Sequence, residues 1–208
     1  MIESSEIKNT KNQSSDLLLT IDNGTQSVRA LLFDLKGNLL AKSRIELEAY
    51  FSKKPGWAEQ NADYFWQMLG QCCQQLWQQS EVVEKGYRQR VTAVTVTTQR
   101  GTVINLDKNG QALRPAILWL DQRLCQDNKA MPWYWRIAFT LIGQGKVVDY
   151  FRRKSQANWL EQHEPEVWKN TDKFLLLSGF LTHRLTGQFK DSVGSIVGYL
   201  PFDYRKQN

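Results

Sequence analysis

Leu17-Leu18-Leu19-Thr20-Ile21 runs straight into Asp22-Asn23-Gly24-Thr25, and a second apolar run, Val28 to Phe33, comes after Gln26 and Ser27. Apolar runs of strand length on both sides of a turn-forming quartet demand a strand, a turn and a returning strand. A buried strand would deliver the Asp22 carboxylate to a fixed point, Gly24 would let the backbone approach closely, and Thr25 would add a hydroxyl and an amide. A carboxylate beside exposed amides suits Mg²⁺ and nucleotide phosphate. Taken alone, the same four residues fit an ordinary hairpin in which Asn23-Gly24 only turns the chain. Their chemistry therefore depends on the segments downstream.

Leu35-Lys36-Gly37-Asn38 reads as a further turn and Leu39 to Glu48 as a third strand, so the chain opens as a three-strand meander. Asn61 caps a helix in which Phe65, Met68, Leu69, Cys72 and Leu76 recur at helical spacing, with Trp66, Cys73 and Trp77 beside them, ending before Gly86. Val91 to Thr97 is rich in β-branched residues, and Thr102 to Leu106 opens a second hairpin through Asp107-Lys108-Asn109-Gly110. Met131 to Ile142 is the densest apolar stretch and reads as a helix or loop packed on a neighbour. Short helices are expected over 155–162 and 165–170, a strand over 173–177, and a helix over 178–185 stopped by Gly187. The fold class is α/β, a mixed sheet opened by the meander and covered by helices. Residues 1–16 are polar and read as a flexible leader, and 17–208 as one lobe.

Composition narrows the function classes. A chain of 208 residues has room for one sizeable domain. Lys and Arg number 27 against 21 acidic residues, a net +6, scattered except at Lys53-Lys54 and Arg152-Arg153-Lys154. That balance suits an anionic substrate and gives little basis for nucleic acid, even with Trp133, Tyr134, Trp135 and Trp159 near the basic run. Cys72, Cys73 and Cys125 form neither a metal-ligand spacing nor a disulfide framework, which points to a reduced, cytoplasmic protein. No apolar run has the length of a membrane span. His163 and His183 lack a third ligand nearby, and neither Ser192 nor Ser195 sits in a nucleophile elbow.

Four further segments succeed the Asp-x-Gly-Thr turn in order. They are Pro55-Gly56-Trp57-Ala58-Glu59-Gln60 with Trp66; Thr97-Thr98-Gln99-Arg100-Gly101-Thr102; Arg114-Pro115-Ala116-Ile117-Leu118-Trp119-Leu120-Asp121-Gln122-Arg123; and His163-Glu164-Pro165-Glu166-Val167-Trp168 running on to Leu185-Thr186-Gly187. With the first turn they resemble the FGGY family of carbohydrate kinases over nearly everything after residue 16. The resemblance implies an actin-like, ribonuclease-H-like ATPase lobe, one wall of a cleft where ATP and a sugar or polyol meet. It assigns phosphate and nucleotide to Asp22, Asn23, Gly24 and Thr25, the Mg²⁺ contact to Asp22, and the substrate to Gln99, Arg100, Trp119 and Asp121, with Arg123 orienting Asp121.

The resemblance has two departures. Relatives that act on glycerol read Gln-Arg-Glu where this chain has Gln99-Arg100-Gly101, and xylulose-type relatives read Gln-Met-His-Gly. Loss of the carboxylate removes a hydroxyl acceptor, so glycerol is not the expected substrate. Family members also run to more than twice this length, and the carboxylate that takes the sugar proton lies beyond the matched region, after residue 208. The chain alone is therefore expected to be inactive, to lack a C-terminal lobe and to self-associate through the surface that lobe would cover. The competing expectation is a non-catalytic sugar-binding or partner-binding module on the same fold.

Overall fold

The computed structural model describes residues 16–126 and 131–196, so the leader falls almost wholly outside them. Strands β1 (Leu17–Asn23), β2 (Ser27–Asp34) and β3 (Leu39–Glu46) form the expected antiparallel meander. Helix α1 (Ala62–Trp77) then carries the chain across the sheet, and β5 (Val91–Thr98) returns parallel to β1. The order is β3-β2-β1-β5, a mixed sheet. Alternation sets its two faces: Leu17, Leu19, Ile21, Val28, Ala30 and Leu32 are buried in one core with Phe65, Leu69, Cys72 and Leu76 of α1. Asp22, one residue out of phase with this set, lies on the opposite, partly exposed face.

Asn61 caps α1 as expected, its side chain accepting from the Asp63 amide. The helix stops at Trp77, and a short α2 (Ser80–Glu84) and a 3-10 turn (Tyr87–Arg90) flank Gly86, whose φ of 60° reverses the chain.

A second, antiparallel sheet goes beyond the sequence expectation. It takes β4 (Glu59–Gln60), β7 (Ala116–Ile117), β6 (Val103–Leu106) and β8 (Lys173–Leu176), in the order β4-β7-β6-β8. Two of these strands have only two residues, too few to show a period in sequence. The predicted second hairpin survives in reduced form: Asp107 Oδ1 accepts the Asn109 and Gln111 amides, and Leu106 bridges to Ala112.

Helices α3 (Trp133–Leu141), α4 (Gly145–Lys154), α5 (Gln156–His163), α6 (Pro165–Asn170), α7 (Leu177–Thr186) and α8 (Val193–Ile196) complete the described residues. The short helices, the strand before α7 and the Gly187 stop, with φ 74°, match expectation. The helix expected within 131–142 is present as α3 and touches α4, but the contact is shallow. Neither α3 nor α4 buries a residue, and Trp133 and Leu141 are 71% and 81% exposed. Among the described residues no helix is long and apolar enough to cross a membrane.

Candidate phosphate and sugar site

Strand register brings Asp22 its neighbours. In the antiparallel pair Asp22 faces Arg29, and in the parallel pair it faces Thr97. Arg29 Nη1 donates to Asp22 Oδ2 at 3.2 Å, and Thr97 Oγ1 donates to Asp22 Oδ1 at 3.2 Å. The Asp22 and Arg29 side chains are 38% and 49% exposed, so the pair is open to solvent and readily exchanged. Arg29 escapes a reading of the sequence because an arginine on a strand carries no signal until its partner strand is known.

The turn beyond Asp22 is indeed a hairpin, and the site is built on it. Gly24 N donates to Ser27 O at 3.0 Å, and a Cβ on Gly24 would lie 3.3 Å from that oxygen, a tight approach that favours glycine. Asn23 departs from the expectation: its side chain is buried, donating from Nδ2 toward Phe65 O at 3.5 Å, because position 23 falls on the core face of β1. Its contribution to the turn is the carbonyl, which accepts the Gln99 amide at 2.9 Å.

That bond fixes Gln99 at the end of β5, directly beside the turn. Thr25 Oγ1 donates to Gln99 Oε1 at 3.1 Å, and Trp119 Nε1 donates to Thr25 Oγ1 at 3.0 Å. Trp119 is 49% exposed, so its ring presents a face to solvent instead of filling the core. Arg100 is exposed at the turn after β5, and Gly101 is buried with φ 77°. An L side chain is strained at such a φ, so the missing glutamate is built into the backbone here.

Asp121 is the other departure. It is buried, with Oδ2 accepting from Ala58 N and Arg123 Nη2, both at 2.7 Å, and Oδ1 accepting from Arg123 N and Nε at 2.9 and 2.7 Å. Both oxygens are thus committed within the fold. The ion pair with Arg123 is present as expected, but as an internal clasp. Glu59, which the sequence marks only as part of a turn segment, joins it by accepting from Arg123 Nη2 at 2.9 Å and from Arg114 Nη2, and Arg114 also pairs with Glu164 at 2.7 Å. Trp57 and Trp159 lie 3.9 and 4.5 Å from the Arg123 guanidinium.

Among the described residues no group of three or more His, Cys, Asp or Glu side chains is gathered that could hold a metal by itself. Asp22 offers a single half-open carboxylate. That fits Mg²⁺ arriving on a polyphosphate, since this ion keeps several waters and needs one or two carboxylates.

Comparison with known proteins gives the family. The chain is 27% identical over 192 residues to a xylulose kinase of Escherichia coli (strain K12), covering 92% of this chain and 38% of that protein. It is 27% identical over 195 residues to a glycerol kinase of Thermococcus onnurineus (strain NA1), covering 91% and 38%. It therefore spans under two-fifths of the length of these relatives. Among solved structures it superposes on xylulose kinase from Rhodospirillum rubrum with a TM-score of 0.72 at 22% identity, covering 92% of this chain and 39% of that one. On Plasmodium falciparum glycerol kinase with ADP the TM-score is 0.66 at 22% identity, covering 93% and 39%. Those two likenesses show the fold. Residues 17–208 match the N-terminal domain of the FGGY family of carbohydrate kinases, and the chain belongs to that family.

Proposed function

We propose that the chain is the lobe of an ATP-dependent carbohydrate kinase that grips the transferred phosphate and one face of a sugar or polyol, and that it does not turn over alone. The supporting observation is the convergence at the carboxyl ends of the adjacent parallel strands β1 and β5, where Thr25, Gln99 and Trp119 form one hydrogen-bonded group. Ligands of open α/β sheets bind at such strand ends. The Gly24 and Thr25 turn with Asp22 and Arg29 forms the phosphate side, and Gln99, Trp119 and the exposed Arg100 form the sugar side. The Trp119 face covers C–H surface while the Gln99 amide bonds hydroxyls. Asp121 acts one step back, by fixing the segment that carries Trp119.

In phosphoryl transfer a lobe of this kind contributes positioning and charge neutralisation. Mg²⁺ carried by ATP, held from Asp22, would supply part of that neutralisation. The group that takes the proton from the sugar hydroxyl is assigned to the remaining length of a complete kinase. Ketoses and polyols are the first substrates to try, and the Gly101 backbone argues against the glycerol-type contact. The free thiols and the use of ATP support a cytoplasmic location.

The test measures sugar binding, phosphate binding and ADP release for the purified chain with Mg²⁺-ATP and a panel of ketoses, aldoses and polyols. Trp119→Ala and Asp22→Ala are run beside it. The expected result is no ADP release, binding of one sugar that is lost in Trp119→Ala, and Mg²⁺-dependent phosphate binding that weakens in Asp22→Ala, which removes the carboxylate that would hold the ion. Sugar-dependent turnover by the chain alone would overturn the inactivity. A folded chain that binds neither sugar nor phosphate would overturn the whole reading, and sugar binding without phosphate binding would identify a sugar-binding module.

A further inference from the structure

An indole N–H can only donate, so the Thr25 oxygen must accept from Trp119. The single hydroxyl proton of Thr25 is then left to point at Gln99 Oε1. While Gln99 holds that proton, Thr25 has none to give a phosphate oxygen, and the lone pair it presents repels an anion. Gln99 is held in place independently by its backbone bond to Asn23 O. The two groups that occupy Thr25 both belong to the proposed sugar side of the site.

We propose that Gln99 and Trp119 latch the Thr25 hydroxyl in the sugar-free lobe, and that a bound sugar releases it to phosphate. The inference rests on the proposed division of the site into a phosphate side and a sugar side. A sugar hydroxyl donating to Gln99 Oε1 replaces the Thr25 hydroxyl there, and a sugar oxygen accepting from Trp119 Nε1 replaces the Thr25 oxygen. Each bond lost inside the protein is replaced by one to the ligand, so the exchange costs little. The freed Thr25 O–H then turns to a phosphate oxygen beside the Gly24 amide. Gln99 and Trp119 act on phosphate only through Thr25 and are positioning residues for it. By linkage, sugar and phosphate each raise the affinity for the other by the same factor.

The probe is inorganic phosphate titrated into the isotope-labelled 208-residue chain, read by the Gly24 and Thr25 amide resonances, with the Trp119 indole resonance assigned from Trp119→Phe. Gln99→Leu removes the acceptor and keeps the backbone bond, so phosphate affinity without sugar should rise about threefold to tenfold, one hydrogen bond's worth. Thr25→Val in the Gln99→Leu background should abolish the gain, and Thr25→Ser should retain it. A merely structural Gln99 would lose phosphate affinity on substitution. Equal affinity in wild type and Gln99→Leu overturns the latch and leaves the phosphate turn standing. Phosphate bound by neither overturns the phosphate turn and the latch with it. A Trp119 indole resonance unmoved by Thr25→Val overturns the bond on which the latch depends.

Discussion

Glu59→Ala tests how the segment carrying Trp119, the proposed sugar wall, is held, and its cost is set by the clasp. Glu59 Oε1 accepts from two guanidiniums, and the Glu59, Arg114 and Arg123 side chains are only 1%, 6% and 2% exposed. Two hydrogen bonds to charged groups are worth about 3–6 kcal/mol gross. Three features reduce this. Arg123 keeps both Asp121 oxygens and its two tryptophans, and Arg114 keeps Glu164 and the Pro115 carbonyl. Glu59 Oε2 is buried without a hydrogen-bond partner, and deleting it recovers about 1 kcal/mol. Glu59, Asp121 and Glu164 outnumber the two arginines, so removing one carboxylate leaves two charges of each sign. The net cost is about 2–3 kcal/mol, below the roughly 3–5 kcal/mol for breaking an isolated buried pair.

Urea unfolding with an unchanged slope should therefore show a midpoint about 1–1.5 M lower, for a slope near 2 kcal/mol/M. Glu59→Gln keeps an acceptor and should cost about half as much. The Trp119 indole resonance should move in Glu59→Ala although Glu59 does not touch that ring, because the clasp sets the path of residues 118–123. A loss under about 0.5 kcal/mol with Trp119 unmoved would refute the clasp as the organiser of the wall, since that is the range of an ordinary surface change.

Two other predictions need only the wild-type chain. Burial pushes the Cys73 thiol up to about 11, so at pH 8 about one molecule in a thousand carries the thiolate, and Cys72 is raised in the same direction by its own burial. Both should resist a thiol reagent at pH 8 until urea is added, and rapid native labelling of Cys73 would contradict its environment. The unburied α3 and α4, with Trp133, Ile137, Leu141 and Phe151 at 50% exposure or more, should make the chain self-associate as concentration rises. Sedimentation velocity at low and high concentration checks this, and a sharp monomer at both refutes it.

Sequence made legible those parts of the fold that repeat a short period or carry strong punctuation. The alternation through Leu17, Leu19 and Ile21, the cap at Asn61 and the stop at Gly187 each act locally, so each is visible in a few residues. The second sheet was hidden because its members pair across long separations, Glu59 with Ile117 and Val103 with Leu176, and two of them have no length over which to alternate. Helix α4 was hidden because it begins at Gly145 with no side-chain cap, even though Arg152-Arg153-Lys154 in its last turn are a favourable end signal. In the site, residue types were readable and their orientations were not. Asn23 and Asp121 looked like ligand contacts by chemistry and face the interior, whereas Arg29 and Glu59 gain their roles only from partners set by register and tertiary packing.

The two sheets divide the labour of the site, and this explains why its key bond spans so much sequence. The first sheet fixes Asp22, Thr25 and Gln99, all within one turn of the ends of β1 and β5. Trp119 comes from the segment after β7, which the second sheet and the clasp hold through Leu118 N to Ala58 O, Gln122 N to Gly56 O and Asp121 to Ala58 N. The bond from Trp119 to Thr25 joins these units directly at the surface, between a half-exposed indole and a partly exposed hydroxyl. A single exposed hydrogen bond is worth about 1 kcal/mol or less, whereas the clasp behind Trp119 is several times stronger. The segment is therefore fixed from behind and only lightly tied at its front, so the proposed exchange at Thr25 would break the weaker of the two attachments.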